Sequence, residues 1–143
     1  METLQNMIEW AVLIVLPFAV LFQNFVHEAG HLLVGYLQEG REPLDIVIWP
    51  HRHKGRWYWA RALMGHPKRG EHPSRLVHII PFWTSLAICI ITGILFFVIP
   101  CCNLCVVPSF VAALATILYF WYCYFFSRNS FTDGWRYRHG IKK

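Results

Sequence analysis

The residues best suited to chemistry in this sequence are His27, Glu28 and His31, in the pattern His-Glu-Ala-Gly-His. They lie in a long apolar stretch, residues 8–37, which predicts a helix. Side chains four residues apart lie on one face of a helix, so the two imidazoles could bind one zinc ion. Glu28 would lie beside them and could take a proton from a water molecule that the metal activates. The alternative is a histidine pair without a metal, but such polar residues are costly in so apolar a helix unless they serve a function.

The composition is that of a membrane protein. Hydrophobic residues make up 56% of the 143 residues and aromatic residues 17%, and the mean hydropathy is +0.38. This composition is too apolar for an ordinary soluble domain of this size. We expect one compact unit over residues 1–143. Residues 1–9 contain no Lys or Arg, so a cleaved signal peptide is not expected.

The candidate residues lie in or next to apolar stretches that are long enough to cross a bilayer core, which takes about 20 residues. They are residues 8–37, 77–98 and 104–126. All 13 Lys and Arg lie either between residues 41 and 75 or after residue 127, and three crossings put these segments on one side. The positive-inside rule predicts that this side is the cytoplasm and that the N-terminus lies outside. The expected fold is therefore an α-helical membrane protein with three transmembrane helices, whereas a soluble helical core would seldom use helices of this length.

The loop between the first two spans, residues 38–76, is the largest polar region. Leu44–Trp49 and Arg56–Leu63 are rich in β-branched and aromatic residues, and turn-forming residues separate them. This pattern predicts a small β-hairpin on the cytoplasmic side.

A catalytic zinc site usually has three protein ligands and a water molecule, so the two histidines need a third partner. Asp133 is favoured because it follows the last span and would arrive at the same membrane depth as the histidines. It could instead cap a helix, with Gly134 at the turn. The other candidates are the carboxylates and histidines of the loop: Glu39, Glu42, Asp45, His51, His53, His66, Glu71, His72 and His78.

A His-Glu-x-Gly-His helix in the membrane, a β-hairpin loop, two further spans and a late Asp-Gly pair resemble the site-2 protease family of intramembrane zinc metalloproteases. The resemblance covers the three-helix core and hence most of the chain. It implies that His27, His31 and Asp133 bind one Zn²⁺ ion, and that Glu28 is the general base of peptide hydrolysis. Family members usually carry an Asn-Pro-rich segment before the Asp-Gly pair, whereas residues 127–132 here read Ser-Arg-Asn-Ser-Phe-Thr.

The resemblance also implies a substrate: a membrane-anchored protein, cut near the cytoplasmic face of a prokaryotic plasma membrane. In the family a strand of this loop is thought to hold the substrate, and a strand edge can pair with an extended peptide. The candidate contacts are Ile46, Val47, Ile48, Trp57 and Trp59. Alternatively, the hairpin only covers the site. Asn24, one turn before Glu28, could hydrogen-bond a metal ligand or steady the oxyanion, or could simply satisfy a backbone group.

The sequence also bears on nucleic-acid binding, on functions other than proteolysis and on partner subunits. The loop aromatics beside arginines are explained by the lipid bilayer interface, so no nucleic-acid partner is expected. The main alternative function is a non-proteolytic zinc-binding membrane scaffold or regulatory subunit, in which Glu28 would have no task. A partner subunit or a homo-oligomer stays open, and so does the role of the cysteines Cys101, Cys102 and Cys105 at the expected outer connection.

Overall fold

The computed structural model describes residues 2–68, 75–99, 103–128 and 132–140. The elements in chain order are α1 (Glu2–Glu39), β1 (Pro43–Val47), β2 (His51–His53), β3 (Arg56–Tyr58), β4 (Arg61–Met64), α2 (Leu76–Val98), α3 (Asn103–Phe125) and α4 (Asp133–His139). The chain is mostly helical, and its strands all lie between α1 and α2. Glu71, His72, Cys101 and Cys102 lie outside the described residues, and Cys105 is exposed on α3.

Among the described residues, three helices are long and apolar enough to cross a membrane. Their candidate spans are Trp10–Glu39, Leu76–Val98 and Leu104–Phe125. Large apolar side chains on their outer faces are exposed, such as Phe18 and Phe97. Exposed apolar helix surfaces of this kind suit contact with a lipid bilayer. The 38 residues of α1 extend over about 57 Å, which exceeds the hydrocarbon core.

The three long helices pack against one another, and polar and aromatic contacts join them. Between α1 and α2, the buried Gln23 Nε2 donates a hydrogen bond to Ser85 Oγ at 2.6 Å. Ser85 Oγ in turn donates to the Pro81 carbonyl at 2.8 Å. Between α2 and α3, the rings of Phe82 and Phe120 lie 5.1 Å apart. Such buried polar contacts stabilise helix pairs in apolar surroundings.

The predicted hairpin is present as a chain reversal, but it is divided into two sheets. β1 pairs antiparallel with β4, and β2 pairs antiparallel with β3. Ile48 and Trp59, which we expected in strands, lie between the strands. The carbonyl of Ile48 accepts a hydrogen bond from Asn24 Nδ2 at 3.0 Å instead of joining a ladder, and Pro50 has no N–H to offer one.

The turn between β2 and β3 consists of Lys54 and Gly55, with φ values of 49° and 78°. Two successive residues with positive φ are the signature of the type I′ turn that closes tight hairpins. The reversal therefore has a local cause in the sequence, although the ladder around it is interrupted.

Candidate metal centre

His27, His31 and Asp133 meet at one point of the structure. The Nε2 atoms of both histidines lie 3.1 Å from Asp133 Oδ2. The candidate ligand atoms of these residues all lie within 4.8 Å of one another, so the cluster could hold a metal ion. The structure thus brings to the two histidines the carboxylate that the sequence favoured.

The two histidines come from adjacent turns of α1, and Asp133 is the first residue of α4. α4 is held against the end of α3 by its own side chains. Arg138 Nη1 donates to the carbonyls of Tyr124 at 3.1 Å and Phe125 at 3.3 Å, which satisfies the last turn of α3. The ring of Tyr137 lies 6.3 Å from that of Tyr124.

Gly134 allows the start of α4 to approach the backbone of α3. A Cβ atom at this position would lie 2.6 Å from the backbone nitrogen of Tyr124, closer still to the carbonyl oxygen of Phe120, and 3.1 Å from the carbonyl carbon of Cys123. Only glycine fits so close an approach. The Asp-Gly pair therefore has a structural reason, because Gly134 lets Asp133 reach the histidines.

The orientation of His31 is set by the first turn of α2. His31 Nδ1 donates a hydrogen bond to the Val77 carbonyl at 2.7 Å, and both groups are buried. That carbonyl cannot accept the usual helical hydrogen bond, because the residue four positions later is Pro81, which lacks an N–H. A proline inside α2 thus releases an acceptor for a histidine of α1.

This hydrogen bond decides what the other nitrogen of His31 can do. When Nδ1 of a neutral imidazole carries the proton, Nε2 carries a lone pair. The His31 lone pair faces the Asp133 carboxylate, and the two would repel each other unless a proton or a cation lay between them. The donor set therefore suits a positively charged ion.

His78 contacts the second oxygen of the Asp133 carboxylate. Its Nδ1 lies 2.9 Å from Asp133 Oδ1. We expected His78 in the loop, as one of several alternative ligands, but it lies in the first turn of α2 and is buried. A histidine inside a stretch as apolar as residues 77–98 is the signal that could have set it apart. Within the described part of the chain, His78 Nε2 and His27 Nδ1 are buried without a hydrogen-bond partner.

The surroundings of Asp133 favour its ionised form. A proton on His31 Nε2 is one way to remove the repulsion between its lone pair and the carboxylate. Burial alone would raise the pKa of the Asp133 carboxyl, but the charge of a protonated His31 and the hydrogen bonds with the three histidines hold that pKa well below its usual value. A carboxylate must be deprotonated to bind a metal ion, so these contacts keep the ligand in its binding form.

Glu28 is buried, with 7% of its surface exposed, and lies beside the cluster. The backbone N–H of Ala62 in β4 lies near its carboxylate. Because Ala62 pairs with Ile46 of β1, the β1–β4 sheet lies next to this part of α1.

Two cavities meet at the cluster. A groove with a volume of about 760 Å³ lies between α1, α3 and the loop, and its lining includes Thr116, Trp57 and Trp59. A second cavity of about 400 Å³ has a basic lining of His53, Lys54, Arg61 and Arg136. Glu28 and Asp133 line both cavities. The candidate ligands are therefore accessible from two directions.

The remaining residues predicted for substrate contact lie in different parts of the loop. Trp57 and Trp59 line the groove and are exposed. Ile46 and Val47 belong to β1, where they pair with Ala62 and Arg61. Asn24 also lines the groove, and its side-chain amide ties α1 to the loop through the Ile48 carbonyl.

The other described carboxylates and histidines of the loop lie in other contacts. Glu39 forms an ion pair with Arg41, and Glu42 forms one with Lys68. Asp45 Oδ1 accepts a hydrogen bond from the N–H of Ile46 at 2.8 Å, and His51 Nδ1 donates one to the Trp49 carbonyl at 3.0 Å. His66 is exposed.

Comparison with known proteins gives no match to this chain: no family model, no curated protein and no solved structure matches it. The resemblance to the site-2 protease family therefore rests on the quoted residues, and the function has to be proposed from the site itself.

Proposed function

We propose that this chain is an intramembrane zinc metalloprotease, which hydrolyses a peptide bond of a membrane-anchored protein near the cytoplasmic face. The observation that carries this function is the meeting of Asp133 with His27 and His31, which lie on a helix long enough to cross a membrane. Glu28 lines the same groove as His27 and Asp133, which supports a role as general base.

The donor types of the cluster and two of its three ligand separations support zinc as the ion. Catalytic zinc sites commonly use two histidines and one carboxylate, with an open fourth position. Bonds of about 2.0 Å at tetrahedral angles place the ligand atoms about 3.3 Å apart. The separations of 3.1 Å between the histidine nitrogens and Asp133 Oδ2 are close to that value.

The chemistry divides between the ion and the side chains. Zinc bound there supplies a Lewis acid that lowers the pKa of a water molecule toward neutrality. Glu28 would accept the proton of the attacking water and would then give it to the leaving amine.

The groove supplies a place for the substrate chain. Peptide carbonyls inside a helix are already hydrogen-bonded and are hard to attack, so the substrate has to be extended at the site. Of the residues expected to contact the substrate, Ile46–Ile48 are not in the lining of the groove, whereas the segment Arg56–Ala60 lines it and contributes Trp57 and Trp59. Its first part is β3, an edge strand of a two-stranded sheet, which favours this segment for pairing with an extended peptide.

Zinc content and cleavage test this function together. The chain, Asp133→Ala, Glu28→Gln and the exposed-histidine control His66→Ala are purified in detergent, and zinc is measured by elemental analysis. We expect about one zinc per chain except in Asp133→Ala, which removes a ligand. The same proteins are then reconstituted with a library of single-span membrane peptides, and products are identified by mass spectrometry.

Cleavage by the unchanged chain and by His66→Ala, but not by Glu28→Gln, is the expected result. Zinc that stays at full content in Asp133→Ala would contradict the ligand set. Zinc bound normally, without any cleavage that depends on Glu28, would instead support the non-proteolytic scaffold.

A further inference from the structure

We propose that His78 is a positioning residue, which holds the Asp133 carboxylate so that one of its oxygens is reserved for the metal. This role rests on the proposed metal site. His78 Nδ1 lies 2.9 Å from Asp133 Oδ1, whereas Oδ2 faces both ligand histidines at 3.1 Å. The two oxygens of one carboxylate thus have different partners.

The direction of this hydrogen bond follows from the chemistry of the pair. An ionised carboxylate can only accept, so His78 Nδ1 carries the proton and donates it to Asp133 Oδ1. In a neutral ring Nε2 then has a lone pair. This nitrogen is buried and has no hydrogen-bond partner among the described residues.

An unsatisfied buried nitrogen argues that His78 is more than a space-filling residue. Leaving such a polar atom without a partner costs about 1–3 kcal/mol of stability. An apolar side chain could fill the same space without that cost, and most of α2 is apolar. The contact with Asp133 is the interaction of His78 that offsets the cost.

The first turn of α2 therefore orients ligands from two other helices. The Val77 carbonyl fixes the ring of His31 on α1, and the adjacent His78 fixes Asp133 on α4. Hydrogen bonds to metal ligands set their orientation, and losing one typically lowers metal affinity 10- to 100-fold. Of these two groups, only the His78 side chain can be removed by a substitution, because the Val77 carbonyl belongs to the backbone.

Zinc titrations of the detergent-purified chain against a competing chelator test this role. His78→Ala removes the donor, and we expect zinc affinity to fall about 10- to 100-fold. His78→Asn keeps a side-chain N–H near the position of Nδ1, so we expect it to recover most of the loss. His51→Ala is the matched control, because His51 also donates through Nδ1 to a nearby oxygen, but from an exposed position.

A spectroscopic readout separates positioning from general stability. With Co²⁺ in place of zinc, the visible absorption bands report ligand geometry. We expect them to shift in His78→Ala, and to return toward those of the unchanged chain in His78→Asn. Affinity in His78→Ala within twofold of the unchanged chain would overturn the role of His78. Equal loss in both His78 variants would also overturn it, because it would show that the ring only fills space. If the unchanged chain bound neither ion, the metal site itself would fail, and the role of His78 with it.

Discussion

Replacing Gly134 by Ala tests how closely α4 must approach α3 for Asp133 to reach the histidines. The new Cβ would lie 2.6 Å from Tyr124 N and 3.1 Å from the carbonyl carbon of Cys123. These are backbone atoms of a helix, and they cannot turn aside as a side-chain end can. Ordinary contact begins near 3.5 Å, so the start of α4 has to move away by about 1 Å.

A displacement of about 1 Å is large for a metal ligand, because metal–ligand distances vary by only about 0.2 Å. Asp133 adjoins Gly134, so its Oδ2 would leave its place between His27 and His31. We expect zinc affinity to fall by at least the 10- to 100-fold typical of disturbed ligand support, about 1.4–2.8 kcal/mol.

Chelator competition in detergent measures this loss. Gly93→Ala is the matched control, since a Cβ there would meet only Phe110 Cε2, at an ordinary 3.8 Å. The control should bind zinc as the unchanged chain does. Zinc affinity of Gly134→Ala within twofold of that of Gly93→Ala would refute the reasoning, because α4 would then have absorbed the added methyl group without moving Asp133.

Two further substitutions test other contacts. Pro81→Ala restores an N–H that competes with His31 for the Val77 carbonyl. Zinc affinity should therefore fall about two- to tenfold, which is the effect of one neutral hydrogen bond. Unchanged affinity in the chelator assay would show that this carbonyl does not orient a ligand. Arg41→Ala removes the ion-pair partner of Glu39, whose side chain is only 4% exposed, and should cost about 1.5–3 kcal/mol in thermal unfolding. Lys68→Ala breaks the ion pair with Glu42, whose two side chains are 64% and 63% exposed, and should lower the stability by less than about 1 kcal/mol. Equal losses of stability in the two variants would contradict the role of burial.

The helices could be predicted closely because their signal is local. Uninterrupted apolar composition predicted spans at 77–98 and 104–126, and the structure has α2 at Leu76–Val98 and α3 at Asn103–Phe125. The first helix extends beyond the predicted 8–37 at both ends. The strands were harder to place, because their ends depend on partners elsewhere. The Ile48 carbonyl, for example, bonds to α1.

In the site too, features set by local spacing could be predicted, and contacts between distant residues could not. The spacing of His27 and His31 follows from helix geometry, and Asp133 could be favoured from the number of membrane crossings. The contact of His78 with Asp133 could not be predicted, because it joins residues 55 positions apart through the packing of α2 against α4. α4 itself has only seven residues, too few to show a helical period.

Glu28 and Asp133 line both the groove and the basic cavity. Under the proposed function, an extended peptide bound in the groove would close that entrance to solvent. Hydrolysis consumes a water molecule in every turnover, and the basic cavity offers it a separate route to the same two carboxylates. Charged walls favour a hydrated cavity, whereas tryptophans edge the groove. Under that function, peptide and water would therefore reach these carboxylates through different cavities and would not compete for a single opening.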